Sequence, residues 1–325
     1  MLEILKPGLE TSIQELPGRI GYWEQGFPPS GPVDSWSFRL ANRLVGNHPD
    51  AAALECQFTG STLKFGDARL LALAGADMSA TLDGQPLGLW QTHAVKPGQV
   101  LELNAVRNGV RCYIAISGAI DTPLVLGSRA TFHMAGVGGM GGYAIKAGQH
   151  LPLGPAPKAS LSLIVPPDLR PQFSTSRIWE IECVLGPNDD WLTAESVKTF
   201  LAADWKVQSR SNRTGMRLTG PAFQFSARAT NKRPEHGQDP SNILDHGYPL
   251  GAVNLAGQTP IILLNDAPST GGFINPFTVA SAAFWKLGQT QPNETLRFRA
   301  VSVSEAQQLR QNLDQTAVNC DLAAC

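Results

Sequence analysis

The chain has 325 residues, with 26 Lys and Arg against 27 Asp and Glu, and a formal net charge of -1. At 42% hydrophobic and 16% charged it is too apolar for a disordered chain, and it lacks the basic excess that neutralises phosphates, so nucleic-acid binding is excluded. The length suits two domains, each large enough to bury a core without disulfides or metals.

The opening MLEILKPGLE has neither the cationic start nor the apolar stretch of a secretory signal. Leu70–Ala76, an apolar run, is too short to span a bilayer. The five cysteines (Cys56, Cys112, Cys183, Cys320, Cys325) form no CxxC pair. Such a scattered set fits a reducing compartment, so a cytoplasmic location is expected, with Cys320 and Cys325 in a loose tail.

In chain order, a helix is predicted over Asp34–Val45, where Phe38, Ala41, Leu44 and Val45 recur at helical spacing before Gly46. Strands are predicted at Leu70–Ala74 and at Ala80–Leu82, the second leading into an Asp83-Gly84 turn. Tyr113–Ile116 and Ile261–Leu264 read as buried strands. Pro152–Pro171, rich in Pro, Ala and Ser, reads as a linker, although Leu161–Val165 within it has the composition of a strand. The expected domains are therefore 1–165 and 166–325. Helices are predicted over Thr193–Trp205, capped by Thr193, over Phe277–Leu287, stopped by Gly288, and over Ser304–Leu313, begun by a Ser304/Gln307 capping box. With Gly (32) and Pro (24) punctuating short apolar runs, the fold class is mainly β with a few covering helices.

One local pattern recurs. His93–Leu103 (HAVKPGQVLEL) matches Tyr143–Leu153 (YAIKAGQHLPL), and Pro292–Phe298 (PNETLRF) is a weaker third copy. Each reads as a turn at Gly or Asn entering an alternating strand, a repeated hairpin of β-barrels.

Most familiar motifs are missing: no GxxxxGK[ST], no HExxH and no GxSxG. The six histidines show no metal spacing. No methionine neighbours a lysine, so any biotin arrives on another chain. The glycine run Gly136–Gly142 has two readings, an amide cradle for an anion or a place of close chain approach. Five polar clusters remain. The first, Phe27–Ser35, holds Ser30 and Asp34 before a helix, where they either present amides to a ligand or simply cap. Leu126–Thr131 holds Arg129 after a Gly-Ser turn, suited to a carboxylate clamp or to a structural pair with an Asp. Ser211–Leu218 holds Asn212, Arg213 and Arg217, the two arginines facing one way if this is a strand. Asp239–Asp245 holds Ser241, Asn242 and Asp245. Asn265–Phe273 holds Asp266, Ser269, Thr270, Gly271 and Gly272 straight after a buried strand, as a binding loop on a scaffold would.

In this order the clusters resemble one family, allophanate hydrolase subunit 2, also called the Kip-antagonist or 5-oxoprolinase C subunit family, which is related to the carboxyltransferase region of urea carboxylase. The matching stretches are 17–47, 73–91, 115–132, 211–221, 239–243 and 265–273. GADMSATLDG, SNRTG and GGFINPFTV look closest to the urea carboxylase branch. There are two departures: Gly142-Tyr143 stands where the family usually has Gly-Arg, and Asp239 where urea carboxylases tend to have His.

The resemblance implies two cyclophilin-like β-barrel domains and a companion of the allophanate hydrolase subunit 1 or Kip-inhibitor type. It implies carboxyl transfer to urea or a related amide from carboxybiotin on a separate carrier, supplied by a biotin carboxylase. On that reading Arg129 or Arg213 stabilises developing charge, and Asn212, Ser241 and Asn242 orient the acceptor. Asp245 or Asp266 takes the proton, and the loops meet in one cleft. Two alternatives stand beside it. One is the C subunit of a 5-oxoprolinase that uses ATP at the complex, with a lactam-utilisation protein, to open 5-oxoproline to glutamate. The other is a non-catalytic antagonist of a Kip-inhibitor-like partner.

Overall fold

The computed structural model describes residues 1–156 and 162–324. The chain divides into two units, one of Met1–Ile20, Pro29–Phe173 and Leu313–Cys325, the other of Gly21–Pro28 and Ser174–Asn312. Both are mainly β, the class expected from the sequence.

In the first unit a six-stranded sheet and a five-stranded sheet share one apolar core. The strands Arg69–Asp77 and Asn108–Ile116 show why a continuous apolar run can be a strand. Leu71, Leu73, Ile114 and Ile116 point into the core between the sheets, while Ala72, Ala74, Tyr113 and Ala115 face the helix Ser35–Leu44. Small residues beneath the helix let it approach the sheet. Asp34 caps that helix, its carboxylate accepting from Ser37 N at 2.9 Å.

The second unit is a closed seven-stranded barrel. It closes where Thr295–Ala300 pairs in parallel with Ile178–Leu185. Its core is aromatic: the Phe200 ring stacks on Phe277 at 3.9 Å and on Phe298 at 4.3 Å.

The three-copy pattern is realised as one loop built three times. Gly98, Gly148 and Asn293 take the left-handed conformation, at φ of 86°, 81° and 67°. The amide of each donates to a neighbouring strand or loop carbonyl: Phe65 O, Ile4 O and Val207 O, all within 2.7–2.8 Å. Gln99 and Gln149 then reach back to accept from the N–H of Lys96 and Lys146, at 2.8 and 2.7 Å. In the third copy Glu294 does the same for Gln291 N at 2.9 Å. It is buried and also accepts from Trp179 Nε1 at 2.8 Å.

Several elements depart from the sequence reading. The helix begun at Thr193 ends at Ala202, because Trp205 is taken into a barrel strand and packs on Phe200. Phe277–Val279 is a strand, and the following helix is Phe284–Gln289, with Gly288 inside it. Ser302, not Ser304, caps the C-terminal helix Val303–Asn319, accepting from Glu305 N. Leu163–Ile164 is a short strand paired with Ala323–Ala324, which ties the tail down; Arg43 also donates to Cys320 Sγ at 2.9 Å. Leu161 and Cys325 lie outside the described residues. No helix among the described residues is long and apolar enough to cross a membrane.

The loop repeat predicts an asymmetry. Glu294→Ala strips a buried acceptor from two donors and should cost about 2–3 kcal/mol, whereas Gln149→Ala at the equivalent but more exposed loop should cost about 0.5–1 kcal/mol. Urea denaturation of the two variants measures the difference.

Candidate functional site

Two of the polar clusters become the strands of one antiparallel ribbon in the second unit. Asn242–Gly247 pairs with Thr270–Phe273, placing Asn242 opposite Phe273, His246 opposite Gly271 and Gly247 opposite Thr270. At the ribbon entrance Asp239 closes a tight turn, its Oδ1 accepting from Ser241 N at 2.8 Å and Ser241 Oγ at 2.7 Å. These hydrogen bonds hold the Asp239 carboxyl below its ordinary range. Ser241 Oγ also accepts from Gly257 N at 2.9 Å, so the serine is fully engaged in structure. Lys232 Nζ donates to Asn242 O at 2.7 Å and to Asp239 O. Asp245 is exposed on the strand.

In the segment leading into the second ribbon strand, Asp266 forms a buried bidentate pair with Arg213. Arg213 Nε donates to Asp266 Oδ2 at 2.8 Å and NH2 to Oδ1 at 3.1 Å, with side chains only 5% and 4% exposed. Asp266 N donates back to Arg213 O at 3.0 Å. Asn212 turns the chain just before, its Oδ1 accepting from Thr214 N and Gly215 N. The strand here begins only at Gly215, so Arg213 and Arg217 do not share a strand face: Arg213 is buried, and Arg217 reaches Arg210 O instead.

The ribbon overlooks a shallow hollow of about 610 Å³, lined by Trp23, Glu24, Tyr248, Leu250, Ser269 and Thr270 among others. Tyr248 is its anchor. The phenol oxygen accepts from Phe273 N at 2.6 Å and donates to Phe273 O at 3.1 Å, gripping both polar groups of one ribbon residue. His246 stands edge-on to the Tyr248 ring at 5.0 Å. A Cβ at Gly271 would come within 2.6 Å of that ring, so the position demands glycine. Burial, and secondarily the Asp245 charge, push the Tyr248 phenol above its usual range. Seven of the expected binding and catalytic residues thus belong to this ribbon and its approaches: Ser241, Asn242, Asp245, Ser269, Thr270, Gly271 and Gly272.

The remaining expected residues lie in the first unit, and each has structural partners. Both Asp34 oxygens are used on Ser37, at 2.9 Å to its N–H and 2.6 Å to its hydroxyl. Asp34 N donates to Tyr113 Oη, which donates to Glu55 at 2.8 Å, and Arg111 completes this buried chain at 3.4 Å from Glu55. Ser30 is buried at φ 58°, beside Gly31, whose N–H donates to the buried Gln14. Arg129 donates to Asp121 at 2.7 Å and lies 3.8 Å from Glu15. The glycine run is a place of close approach: Cβ atoms at Gly138, Gly139 and Gly142 would lie within 2.0 Å of Ala130 O, Thr131 Oγ1 and Gly136 backbone atoms. Tyr143, where an arginine was expected, packs its hydroxyl against Gly136 and is 54% exposed.

The sequence reading did not single out Trp23, Glu24, Tyr248 or Leu250. Trp23 and Glu24 lie in a matched stretch but carry no recognisable pattern of their own. Tyr248 could have been found as the aromatic residue closing the polar run 239–247 just before Pro249.

Comparison with known proteins bears on this geometry. The family described as carboxyltransferase domain, subdomain A and B, matches residues 25–300. The chain is 39% identical to the urea amidolyase of Saccharomyces cerevisiae over 98% of its own length, though it spans only 18% of that protein. It is 33% identical to the 5-oxoprolinase C subunit of Escherichia coli, covering 96% of this chain and 95% of the other. The fold overlays the crystal structure of the Kluyveromyces lactis urea carboxylase with a TM-score of 0.92 at 40% identity, over 98% of this chain and 29% of that one.

Removing one member of the buried pair should be worse than removing both. Arg213→Ala is expected to cost about 3–5 kcal/mol by stranding the Asp266 charge, and the Arg213→Ala/Asp266→Ala double variant to recover part of that loss. Denaturant titration of the three proteins provides the cycle. Because the Tyr248 phenol ionises late, its neutral form favours the fold, and that contribution fades as pH rises above the unfolded phenol range near 10. An absorbance titration at alkaline pH should show one fewer late-ionising phenol in Tyr248→Phe, with the buried Tyr113 remaining as the other.

Proposed function

The chain belongs to the carboxyltransferase domain family, subdomains A and B, and from that premise we propose that it transfers a carboxyl group from carboxybiotin to urea or a related amide. The carboxybiotin is held on a separate carrier, and a companion subunit works beside this chain. The observation that carries the reading is the largely apolar hollow beside the ribbon, lined by Trp23, Tyr248, Pro249 and Leu250, with Gly247 and Thr270 of the ribbon in the same lining. The greater likeness to urea amidolyase than to the 5-oxoprolinase C subunit supports the choice of acceptor.

The residues present fit the bicyclic ring of biotin. Trp23 and Tyr248 offer flat apolar surface, and the exposed Thr270 belongs to the same lining. Asn242 sits at the far end of the ribbon. When bound, carboxybiotin would supply an activated carboxyl for the acceptor nitrogen, its own ring nitrogen regaining the proton that the acceptor gives up.

The chain's own residues position and exclude. Tyr248 holds the hollow's floor and clamps the ribbon through Phe273. Gly271 keeps that floor accessible, because a side chain there would displace the ring. Thr270, exposed beside the hollow, is the hydroxyl available to donate to an oxygen that gains charge. Asp245 is assigned to take the acceptor proton at its carboxylate and pass it on to the ring nitrogen, since Asp266 spends both oxygens on Arg213. Arg213 and Asp266 act as positioning residues. Ser30, Asp34 and Arg129 receive no role at the hollow.

The test is reconstitution of the chain with companion, biotin carboxylase, biotinylated carrier, ATP, urea and labelled bicarbonate. Gly271→Ala is expected to cut carboxyl transfer to urea by about a hundredfold, and Thr270→Val by about tenfold, with carrier carboxylation unchanged. Discharge of the carboxylated carrier to urea at the same rate without this chain would refute the reading. Biotin-free, ATP-dependent opening of 5-oxoproline would replace it.

A further inference from the structure

The first ribbon strand is held by side chains as well as by its partner strand. Among the described residues Asn242–Gly247 pairs with Thr270–Phe273 alone, and its register shifts between Asn242 and His246. Such a shift leaves a backbone amide without a place in the ladder. Leu244 lies in that stretch, and its N–H donates to His236 Nδ1 at 3.0 Å. Lys232 Nζ, from the same approach segment, donates to Asn242 O at 2.7 Å. Two side chains four residues apart thus clamp alternate residues of one strand.

Both clamps rest on one indole. Trp191 is 5% exposed; the His236 ring tilts against it at 6.0 Å, and Lys232 Nζ and the Arg228 guanidinium each lie 5.7 Å from its centroid. Pro234–His236 is a single 3-10 turn, too short to fix itself, so the indole sets where the imidazole stands.

To accept from Leu244 N, Nδ1 must offer a lone pair, so the ring is neutral with its proton on Nε2. A second proton can go only to Nδ1, where it would face the Leu244 N–H, donor against donor. We propose that His236 is a pH-sensitive latch: neutral, it holds the ribbon; protonated, it releases Leu244. Imidazoles change charge between about pH 5 and 8. The released state binds the extra proton, so the hold is full at mildly alkaline pH and lost as pH falls through that range.

The surrounding charges leave the latch to act alone. Arg228 and Lys232 share the indole with it, and Arg228 is paired with Asp190, which follows Asp189. Glu235 lies 3.9 Å from Arg233, Asp239 accepts from Ser241, Asp245 is exposed on the strand, and His246 is turned to Phe273 O. Among the described residues no carboxylate forms an ion pair with His236, so none offsets the lost hydrogen bond. The strand so held runs into Gly247 and Tyr248 of the hollow's lining, so mild acid slackens the ribbon side of that hollow. The latch stands whatever the hollow binds, and its failure would leave the carboxyltransferase reading untouched.

Amide exchange of Leu244, resolved by NMR on the full chain and divided by the unprotected rate at each pH, tests the latch, with Ile181 of the barrel as control. Between about pH 8 and about pH 5.5, Leu244 protection should fall about five- to tenfold while Ile181 holds. His236→Asn keeps an acceptor oxygen that does not titrate, and should leave Leu244 protected at both pH values. His236→Ala should leave it weakly protected at both. Wild-type protection that is flat with pH, a fall shared by Ile181, or a fall that persists in either variant overturns the latch.

Discussion

A guanidinium and a carboxylate removed from water underlie the candidate site. Separately, Arg213 and Asp266 would each carry a heavy desolvation cost; joined through two hydrogen bonds, they offset it and fix the geometry around them. Asp266 begins the segment that becomes one ribbon strand, and Arg213 precedes a barrel strand. The pair thereby ties the ribbon to the barrel at its root. Tyr248 performs the complementary task at the other end, gripping Phe273 with a single phenol. Between these two anchors runs the ribbon strand Thr270–Phe273 with its two glycines.

The same economy recurs in the other unit. Asp34, Tyr113, Glu55 and Arg111 form a buried polar chain that satisfies the start of a helix and the loop entering it. Residues that look reactive in sequence are here consumed by the backbone. Polar identity in a glycine-rich loop is thus poor guidance to chemistry until the hydrogen-bond partners are known.

Much of the fold was legible from residue pattern alone. The Leu/Ala alternation of Arg69–Asp77, the Asp34 cap and the Gly and Asn turns of the repeated loop are local rules, and local rules can be read along a chain. The errors arose where distant packing prevailed. Trp205 continues a helical pattern on paper, but the aromatic barrel core claims it for a strand. Phe277 likewise stacks on Phe200 instead of opening a helix. At the site, the clusters were visible because polar residues followed a buried strand, yet nothing along the chain could say that Arg213 and Asp266, 53 residues apart, answer each other. Tyr248, Trp23 and Leu250 act through shape, and shape leaves little trace in composition.

The hollow's wall is drawn from opposite ends of the polypeptide. Trp23 and Glu24 belong to Gly21–Pro28, the one early segment grouped with the barrel unit, whereas Ser269 and Thr270 come some 245 residues later. During synthesis the first wall therefore emerges from the ribosome long before the barrel it completes. It must wait, unpartnered, until most of the remaining polypeptide has been made. A fragment spanning only Ser174–Asn312 would carry the ribbon and Tyr248 but lack an indole face, so halving the gene at its apparent midpoint separates pieces of one cavity.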